Sequence, residues 1–325
     1  MRGAFMNSIL NKISAIGLMP VIAIEDANDA VPLAKALQEG GLPMAEVTFR
    51  TDAAEQAIRN MVTAFPDMIV GAGTVLTKEQ ADRAISAGAQ FVVSPGLNPE
   101  VTKHILQKGI CMVPGTATPS EMEQAMDFGL EVVKFFPAEQ NGGLAKLKAV
   151  SAVYENLKFF PTGGIGAKNI GDYIAFDKIA ACGGSWMVPK DLLRERRFEE
   201  ITALVREAVA AMLGFRFVHV GVNNPDEAAA LGFAQWIAAT FGFDYAVGNS
   251  SIFAASDYFE IMKRMGRGTM GHIGVQTNSL SRAVHHLKAH GHVLDEENAI
   301  FMDGKMIAIY LKEEKAGFAF HLVQK

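Results

Sequence analysis

A repeat of short extended runs constrains this chain more than any other feature. Through the first two-thirds, β-rich segments return every 20 to 26 residues, most of them closing near a glycine, proline or threonine. They are MPVIAI from Met19, AEVTF from Ala45, MIVGAGT from Met68, QFVVSPG from Gln90, CMVPGT from Cys111, VVKFFP from Val132, KFFPTGG from Lys158 and KIAACGGS from Lys178. Helix-like stretches separate them, at residues 30–38, 53–65, 78–87, 99–107 and 120–128. Strands that alternate with helices form parallel sheets with helical crossovers, and strands apolar on both sides are covered on both faces. Eight such units in about 190 residues predict a (β/α)8 TIM barrel, with an open doubly wound sheet as the alternative. Residues 198–213 read as a last amphipathic helix, and Gly214 is suited to end it, which sets a first domain at 1–214.

Beyond Gly214 the rhythm stops, and seven of the eight histidines lie there. A different repeat takes over. His219-Val-Gly-Val opens one half and His272-Ile-Gly-Val the other, 53 residues later, each followed by a helix-like segment at 226–241 or 280–290. The halves close alike, on Phe259-Glu260-Ile-Met and Phe320-His321-Leu-Val. Residues 215–325 are therefore expected to form a smaller α+β domain of paired βαβββ modules.

Composition excludes several classes. Half the residues are hydrophobic and 20% charged, a globular profile that rules out disorder. A net charge of −5 offers no basic surface for nucleic acid. The N-terminal apolar stretch is broken by Asn7, Ser8, Asn11 and Lys12, so it reads as an amphipathic helix and not a signal peptide. No window reaches the roughly 18 consecutive apolar residues of a membrane span. Cys111 and Cys182 lie apart without a CxxC pair, which excludes a disulfide framework and suits a reducing cytoplasm.

Lys134 is the residue out of place, flanked on both sides by bulky apolar neighbours. If Val133 and Phe135 face the helices, alternation sends Lys134 into the barrel near the strand's carboxyl end, where such folds keep their chemistry. Burial disfavours an ammonium ion and favours the neutral, nucleophilic amine. A lysine that snorkels, or that pairs with Glu131 or Glu139, is the competing reading. Glu46 and Arg50 place a carboxylate in the second strand and a guanidinium just past it, unless they form a surface ion pair. Thr74 and Pro95 end the third and fourth strands beside glycines. Gly163 and Gly164 follow the seventh strand, and Gly184 and Ser185 the eighth, where barrel loops often hold phosphate on backbone N–H groups; tight turns alone are the alternative.

The motifs EVTFRT at Glu46, GAGTVL at Thr74, SPGL at Pro95, VVKFFPAE at Lys134, PTGGI at Gly163 and GGSW at Ser185 occur together in order. On these the first 213 or so residues resemble the KDPG aldolases, class I pyruvate aldolases that split 2-dehydro-3-deoxy-6-phosphogluconate, many of which also accept 4-hydroxy-2-oxoglutarate. The resemblance implies that Lys134 forms the Schiff base, Glu46 shuttles protons, and Arg50 and Thr74 hold the pyruvate carboxylate. It implies also that Pro95 and Thr162 line the substrate site and that Gly163, Gly164, Gly184 and Ser185 hold the phosphate. A phosphorylated keto acid is then the small-molecule partner, the aldolase needs no cofactor, and a homotrimer is expected.

The C-terminal repeat is similar to the vicinal oxygen chelate superfamily, the glyoxalase-like proteins. That likeness maps metal positions onto His219, Glu260, His272 and His321, the last departing from a more usual glutamate, and implies a divalent metal unless the module has become a binding or packing unit. His285, His286, His290 and His292 are expected on a solvated face. Two further readings stay open: a barrel serving a different 2-keto-3-deoxy acid beside a metal-dependent or metabolite-binding module, and an idle barrel with a sensor tail.

Overall fold

The computed structural model describes the backbone of residues 2–325 and the side chains of residues 8–325. It divides into two compact units, Met1–Met212 and Leu213–Lys325. In the first, helix α1 (Arg2–Ile16) precedes strand β1 (Leu18–Ile22), and the chain then alternates: α2 (Ala30–Glu39), β2 (Met44–Thr48), α3 (Ala54–Ala64), β3 (Ile69–Gly73), α4 (Lys78–Ser86), β4 (Phe91–Val93) and α5 (Pro99–Gln107). The alternation continues with β5 (Cys111–Val113), β6 (Gly115–Thr116), α6 (Pro119–Asp127), β7 (Val132–Phe135), α7 (Gly143–Ser151), β8 (Lys158–Pro161), α8 (Ile170–Ile174), β9 (Cys182–Gly184), α9 (Lys190–Arg194) and α10 (Phe198–Leu213). The fifth extended run of the sequence is thus two strands, because Pro114 between them has no N–H for a ladder.

Local chemistry sets the helix starts. The Thr77 side chain accepts from the Gln80 N–H at the start of α4, and Asn98 accepts from the Glu100 and Val101 N–H groups ahead of Pro99 in α5. Thr118 and Glu121 form a reciprocal capping box at α6.

All pairings in this unit are parallel, giving a curled α/β sheet. Six strands run in the order β5-β4-β3-β2-β1-β9 and three in the order β6-β7-β8, with isolated parallel bridges Phe159–Ile179 and Thr162–Gly183. The strands are almost wholly buried. Glycine alternation on β3 makes room on one face: a Cβ at Gly71 would lie 2.3 Å from the Phe91 ring, and one at Gly73 would lie 2.1 Å from the Glu46 carboxylate. Both cysteines are buried and outside any disulfide, and burial pushes the Cys111 thiol up to about 12.

The second unit holds β10 (Arg216–Val222), α11 (Glu227–Phe241), β11 (Tyr245–Val247), β12 (Ser251–Ala254) and β13 (Phe259–Met262), then β14 (Gly271–Thr277), α12 (Leu280–Ala289), β15 (Ile300–Met302), β16 (Lys305–Lys315) and β17 (Phe318–Gln324). Its one mixed sheet runs β11-β12-β13-β10-β14-β17-β16-β15. The two opening strands, β10 and β14, pair antiparallel at the centre, and each pairs parallel with the last strand of its own half. One expectation fails here. His286 is buried and His285 is half-buried, while His290 and His292 are exposed. The apolar stripe of α12 explains this, since Leu280, Ala283 and Val284 turn the same helix face inward. Among the described residues, no helix is long and apolar enough to cross a membrane.

Gly71→Ala is expected to overpack the Phe91 ring and cost about 1–3 kcal/mol. A lowered urea midpoint, partly restored by the added change Phe91→Leu, checks it; an unchanged midpoint contradicts the packing described.

Candidate active site and a histidine cluster

Alternation on β7 decides where Lys134 points. Phe135 faces outward, with the Lys146 ammonium of α7 5.8 Å from its ring centroid, so Lys134 faces the inside of the curl. There its side chain is 7% exposed, and Nζ lies 3.6 Å from Oε1 of Glu46, itself 1% exposed. Glu131 and Glu139, the alternative partners, are not used: Glu139 instead accepts a short hydrogen bond from the Tyr173 hydroxyl. Lys134 Nζ also sits 5.2 Å from the Phe136 ring centroid. Both Glu46 oxygens and the Thr162 hydroxyl are buried with no hydrogen-bond partner among the described residues. Buried polar atoms left unsatisfied on Glu46, beside the amine, and on Thr162 mark places suited to polar groups the chain does not itself supply.

At the carboxyl ends of the strands a cavity of about 490 Å³ is lined by Thr48 and Phe136, each two residues past Glu46 and Lys134 respectively, and by Arg50, Thr162, Gly163, Gly164, Gly184 and Ser185, among others; Lys134 and Glu46 themselves do not line it. Arg50 donates from Nε to the Thr74 hydroxyl at 3.2 Å. Thr74 holds φ at +56°, a conformation costly for a β-branched residue and concentrated at functional sites. Pro95 falls elsewhere, in a neighbouring cavity with Val75, Leu76 and Glu121. Its carbonyl oxygen is where a Cβ on Gly115 would fall, and Gly115 stands in register with Lys134.

The glycine turn after β8 is tied back from behind. The Thr162 carbonyl accepts from the Ala138 N–H, the Gly163 carbonyl from the Glu139 N–H, and the Gly164 carbonyl from Asn169 Nδ2 at 3.0 Å. In a trans peptide the next N–H points the opposite way, so the Gly163, Gly164 and Ile165 N–H groups are aimed away from these supports. Backbone N–H groups free of side-chain cover are the kind of donor that can bind an anion. Gly163 and Gly164 hold φ at +99° and +79°, which the turn requires. Gly184 has another reason to be glycine: a Cβ there would meet the Trp186 ring at 2.0 Å. Sequence reasoning missed Thr48, Phe136 and Asn169. Thr48 lies two residues after Glu46 and shares its face of β2, so alternation carried that signal. Nothing near Asn169 marks its role.

In the second unit, strand register assembles the four residues singled out there. Glu260, Gly221 and His272 stand side by side across β13, β10 and β14, and His219, Gly274, His321 and Tyr310 across β10, β14, β17 and β16. The glycines are the gaps the side chains fill: a Cβ at Gly221 would lie 2.1 Å from the His272 ring, and one at Gly274 would lie 2.7 Å from His219. His219 Nε2 is 3.2 Å from His272 Nε2 and 3.0 Å from His321 Nε2, and Glu260 Oε2 is 3.1 Å from His272 Nε2. Ring nitrogens this close cannot all carry protons, so lone pairs converge. Donor atoms of the three histidines lie within 4.8 Å of one another. Tyr310 stacks on the His321 ring at 4.8 Å and the Ser251 hydroxyl donates to Glu260 Oε1 at 3.0 Å.

Burial pushes His321 down to about 3, helped by His272 and His219, and burial also lowers His219. The hydrogen bond from His272 holds Glu260 below the usual carboxylate range. In metal-free protein the unfolded chain therefore binds more protons than the folded one as pH falls from about 6.5 towards 3, and stability drops across that window. Glu260 acts in the same sense, its contribution being lost as the carboxylate protonates. Urea midpoints of the second unit, measured with chelator across this range, should fall less steeply in His321→Asn; identical slopes contradict the assignment.

Comparison with known proteins bears on the first unit. The profile of the KDPG and KHG aldolase family matches residues 9–204. A 2-dehydro-3-deoxy-phosphogluconate aldolase of Treponema pallidum is 47% identical over 204 residues, 63% of this chain and 97% of that protein. The KHG/KDPG aldolase of Escherichia coli is 45% identical over 192 residues, 59% of this chain and 90% of its own. Among solved structures, a KDPG aldolase of Legionella pneumophila, with pyruvate captured at low pH as a covalent carbinolamine, is similar at TM-score 0.60 and 39% identity, over 61% of this chain and 97% of that one.

Proposed function

We propose, because this chain belongs to the KDPG and KHG aldolase family, that it is a Schiff-base aldolase cleaving 2-dehydro-3-deoxy-6-phosphogluconate to pyruvate and glyceraldehyde 3-phosphate. The observation that carries this reading is the Lys134 amine buried 3.6 Å from the Glu46 carboxylate. In this reading the parallel strands close into a (β/α)8 barrel, supported by the bridges between β8 and the β9 segment and by the single proline separating β5 from β6.

The neutral amine of Lys134 attacks the C2 ketone to give a carbinolamine, and loss of water leaves a protonated imine. That cation draws electrons from C3. Glu46 takes the proton of the C4 hydroxyl as the C3–C4 bond breaks, releasing the aldehyde and leaving an enamine on Lys134. Returning the proton to C3 and adding water to the imine frees pyruvate and restores the amine. Arg50, steadied by Thr74, suits the substrate carboxylate because its planar fork can hold both oxygens. The Gly163–Gly164 turn and Ser185 suit the phosphate, and Thr162 supplies a hydroxyl between the two ends. Turnover of 4-hydroxy-2-oxoglutarate, which lacks the phosphate, is expected to be slower.

A cleavage assay on both substrates tests this. Glu46→Gln should lower kcat roughly 10²–10⁴-fold, and Ser185→Ala should raise KM for the phosphorylated substrate alone. An inactive wild type, or a Glu46→Gln enzyme at full rate, overturns the reading.

A second reading concerns the other unit, whose β-α-β-β-β halves resemble paired vicinal oxygen chelate modules. His219, Glu260, His272 and His321 would hold a divalent metal, and the residues fit one: lone pairs converge, and Gly221 and Gly274 leave the gaps the rings occupy. When bound, the ion would supply Lewis acidity towards a small oxo- or hydroxy-acid. Elemental analysis of the full chain should find metal that His219→Ala loses; metal-free wild type after growth in supplemented medium contradicts it.

A further inference from the structure

We infer that Tyr173 is a positioning residue for the phosphate end of the substrate, holding the Gly163–Gly164 turn in place through the side chain of Glu139; this rests on the reading that the turn takes the phosphate. Neither Tyr173 nor Glu139 lines the cavity, so an effect on substrate has to pass through the turn. The turn needs an outside hold. Gly163 and Gly164 take left-handed conformations, and glycine is the residue with the most freedom to leave one. The Gly163, Gly164 and Ile165 N–H groups donate no hydrogen bond among the described residues, so their direction is set by what grips the other side.

Glu139 grips it twice. Its N–H donates to the Gly163 carbonyl at 3.1 Å, and its Cβ and Cγ lie 2.6 Å and 2.5 Å from where a Cβ on Gly164 would stand, so the stem of the side chain lies against Gly164. Glu139 is exposed and opens a single 3-10 turn, Glu139–Asn141, where a glutamate side chain ordinarily samples several rotamers. Tyr173 removes that freedom, because its hydroxyl donates to Glu139 Oε1. Gly143 keeps the place open: a Cβ there would lie 2.9 Å from Glu139 Oε1 and 3.1 Å from the Tyr173 hydroxyl.

Helix α8 delivers Tyr173 from a fixed place. The residue is 2% exposed and belongs to the core, where a phenylalanine would fill the same volume. What the hydroxyl adds is a hydrogen bond to a charged acceptor, the stronger kind, and a buried phenol without a partner is costly. Burial and the bond to Glu139 both hold the phenol above its ordinary value, which keeps it a donor. Asn169 stands four residues earlier, on the same side of the helix. Its Nδ2 donates to the Gly164 carbonyl at 3.0 Å, its Oδ1 accepts from the Gly166 N–H at 2.9 Å, and its carbonyl accepts from the Tyr173 N–H at 3.4 Å. One short helix thus reaches the turn by two routes, directly from Asn169 and through Glu139 from Tyr173.

Cleavage of the phosphorylated substrate by the full chain is measured with two inhibitors, inorganic phosphate for one end of the cavity and pyruvate for the other. Tyr173→Phe should raise KM and the inhibition constant of inorganic phosphate roughly two- to tenfold, the fold-change of one hydrogen bond. Inhibition by pyruvate and kcat should hold, a split that a general loss of stability would not produce. Glu139→Ala should repeat the effect, and Glu139→Gln, which still accepts from the hydroxyl, should recover most of it. A wild type that does not cleave the substrate ends the aldolase reading and takes this inference with it. If wild type cleaves it and Tyr173→Phe keeps the same KM, or loses pyruvate inhibition as much as phosphate inhibition, the aldolase reading stands and the inference is overturned. Should Tyr173→Phe fail to fold, the Glu139 variants decide: equal phosphate inhibition in Glu139→Ala and Glu139→Gln overturns the inference.

Discussion

An amine and a carboxylate held out of water, 3.6 Å apart, are the constraint around which the first unit is arranged. Burying both charges is costly, and a close pair recovers the cost only when the remaining lone pairs are satisfied. Here the Glu46 oxygens are not satisfied by the protein. A fold that is stable by only about 5–15 kcal/mol keeps such an arrangement for chemistry and not for stability. The surroundings have given way to it: Gly73 has no side chain where the Glu46 carboxylate lies.

The two ends of the cavity work by different physics. At Arg50 and Thr74, a guanidinium and a hydroxyl in a strained backbone conformation offer directed donors for a planar carboxylate. At Thr162–Gly164, backbone carbonyls are drawn back by Ala138, Glu139 and Asn169, which turns the opposite N–H groups away from those supports and, in the proposed reaction, leaves them for the phosphate. In the proposed reaction the carboxylate of the substrate would take the first end and its phosphate the second.

Much of this was legible in the sequence because periodicity and burial are local signals. A lysine between Val133 and Phe135 could not be accommodated on the helix-facing side, and the repeated β-α rhythm supplied the inward side. The helix-like runs at 99–107 and 198–213, the second closed by Gly214, match α5 and α10. What stayed hidden depends on contacts distant along the chain. The interruption between β5 and β6, the displacement of Pro95 into a neighbouring cavity and the support of Gly164 by Asn169 arise only when separate strands and loops meet. In the second unit the His-x-Gly repeat marked the cluster, yet the reason for the glycine appears only across the sheet, where each clears space for a histidine of another strand. His286 was misplaced because four nearby histidines suggest a polar surface, whereas the helix stripe decides burial.

Replacing Lys134 alone is an ambiguous test, since it also leaves Glu46 buried without a counter-charge, at a cost of about 3–5 kcal/mol. Trapping is more direct. The native chain is incubated with pyruvate, reduced with borohydride, digested and mapped by mass spectrometry. A stable pyruvate adduct on Lys134, with Lys146 and Lys158 unmodified, is the outcome this account predicts; an adduct on another lysine, or none, contradicts it.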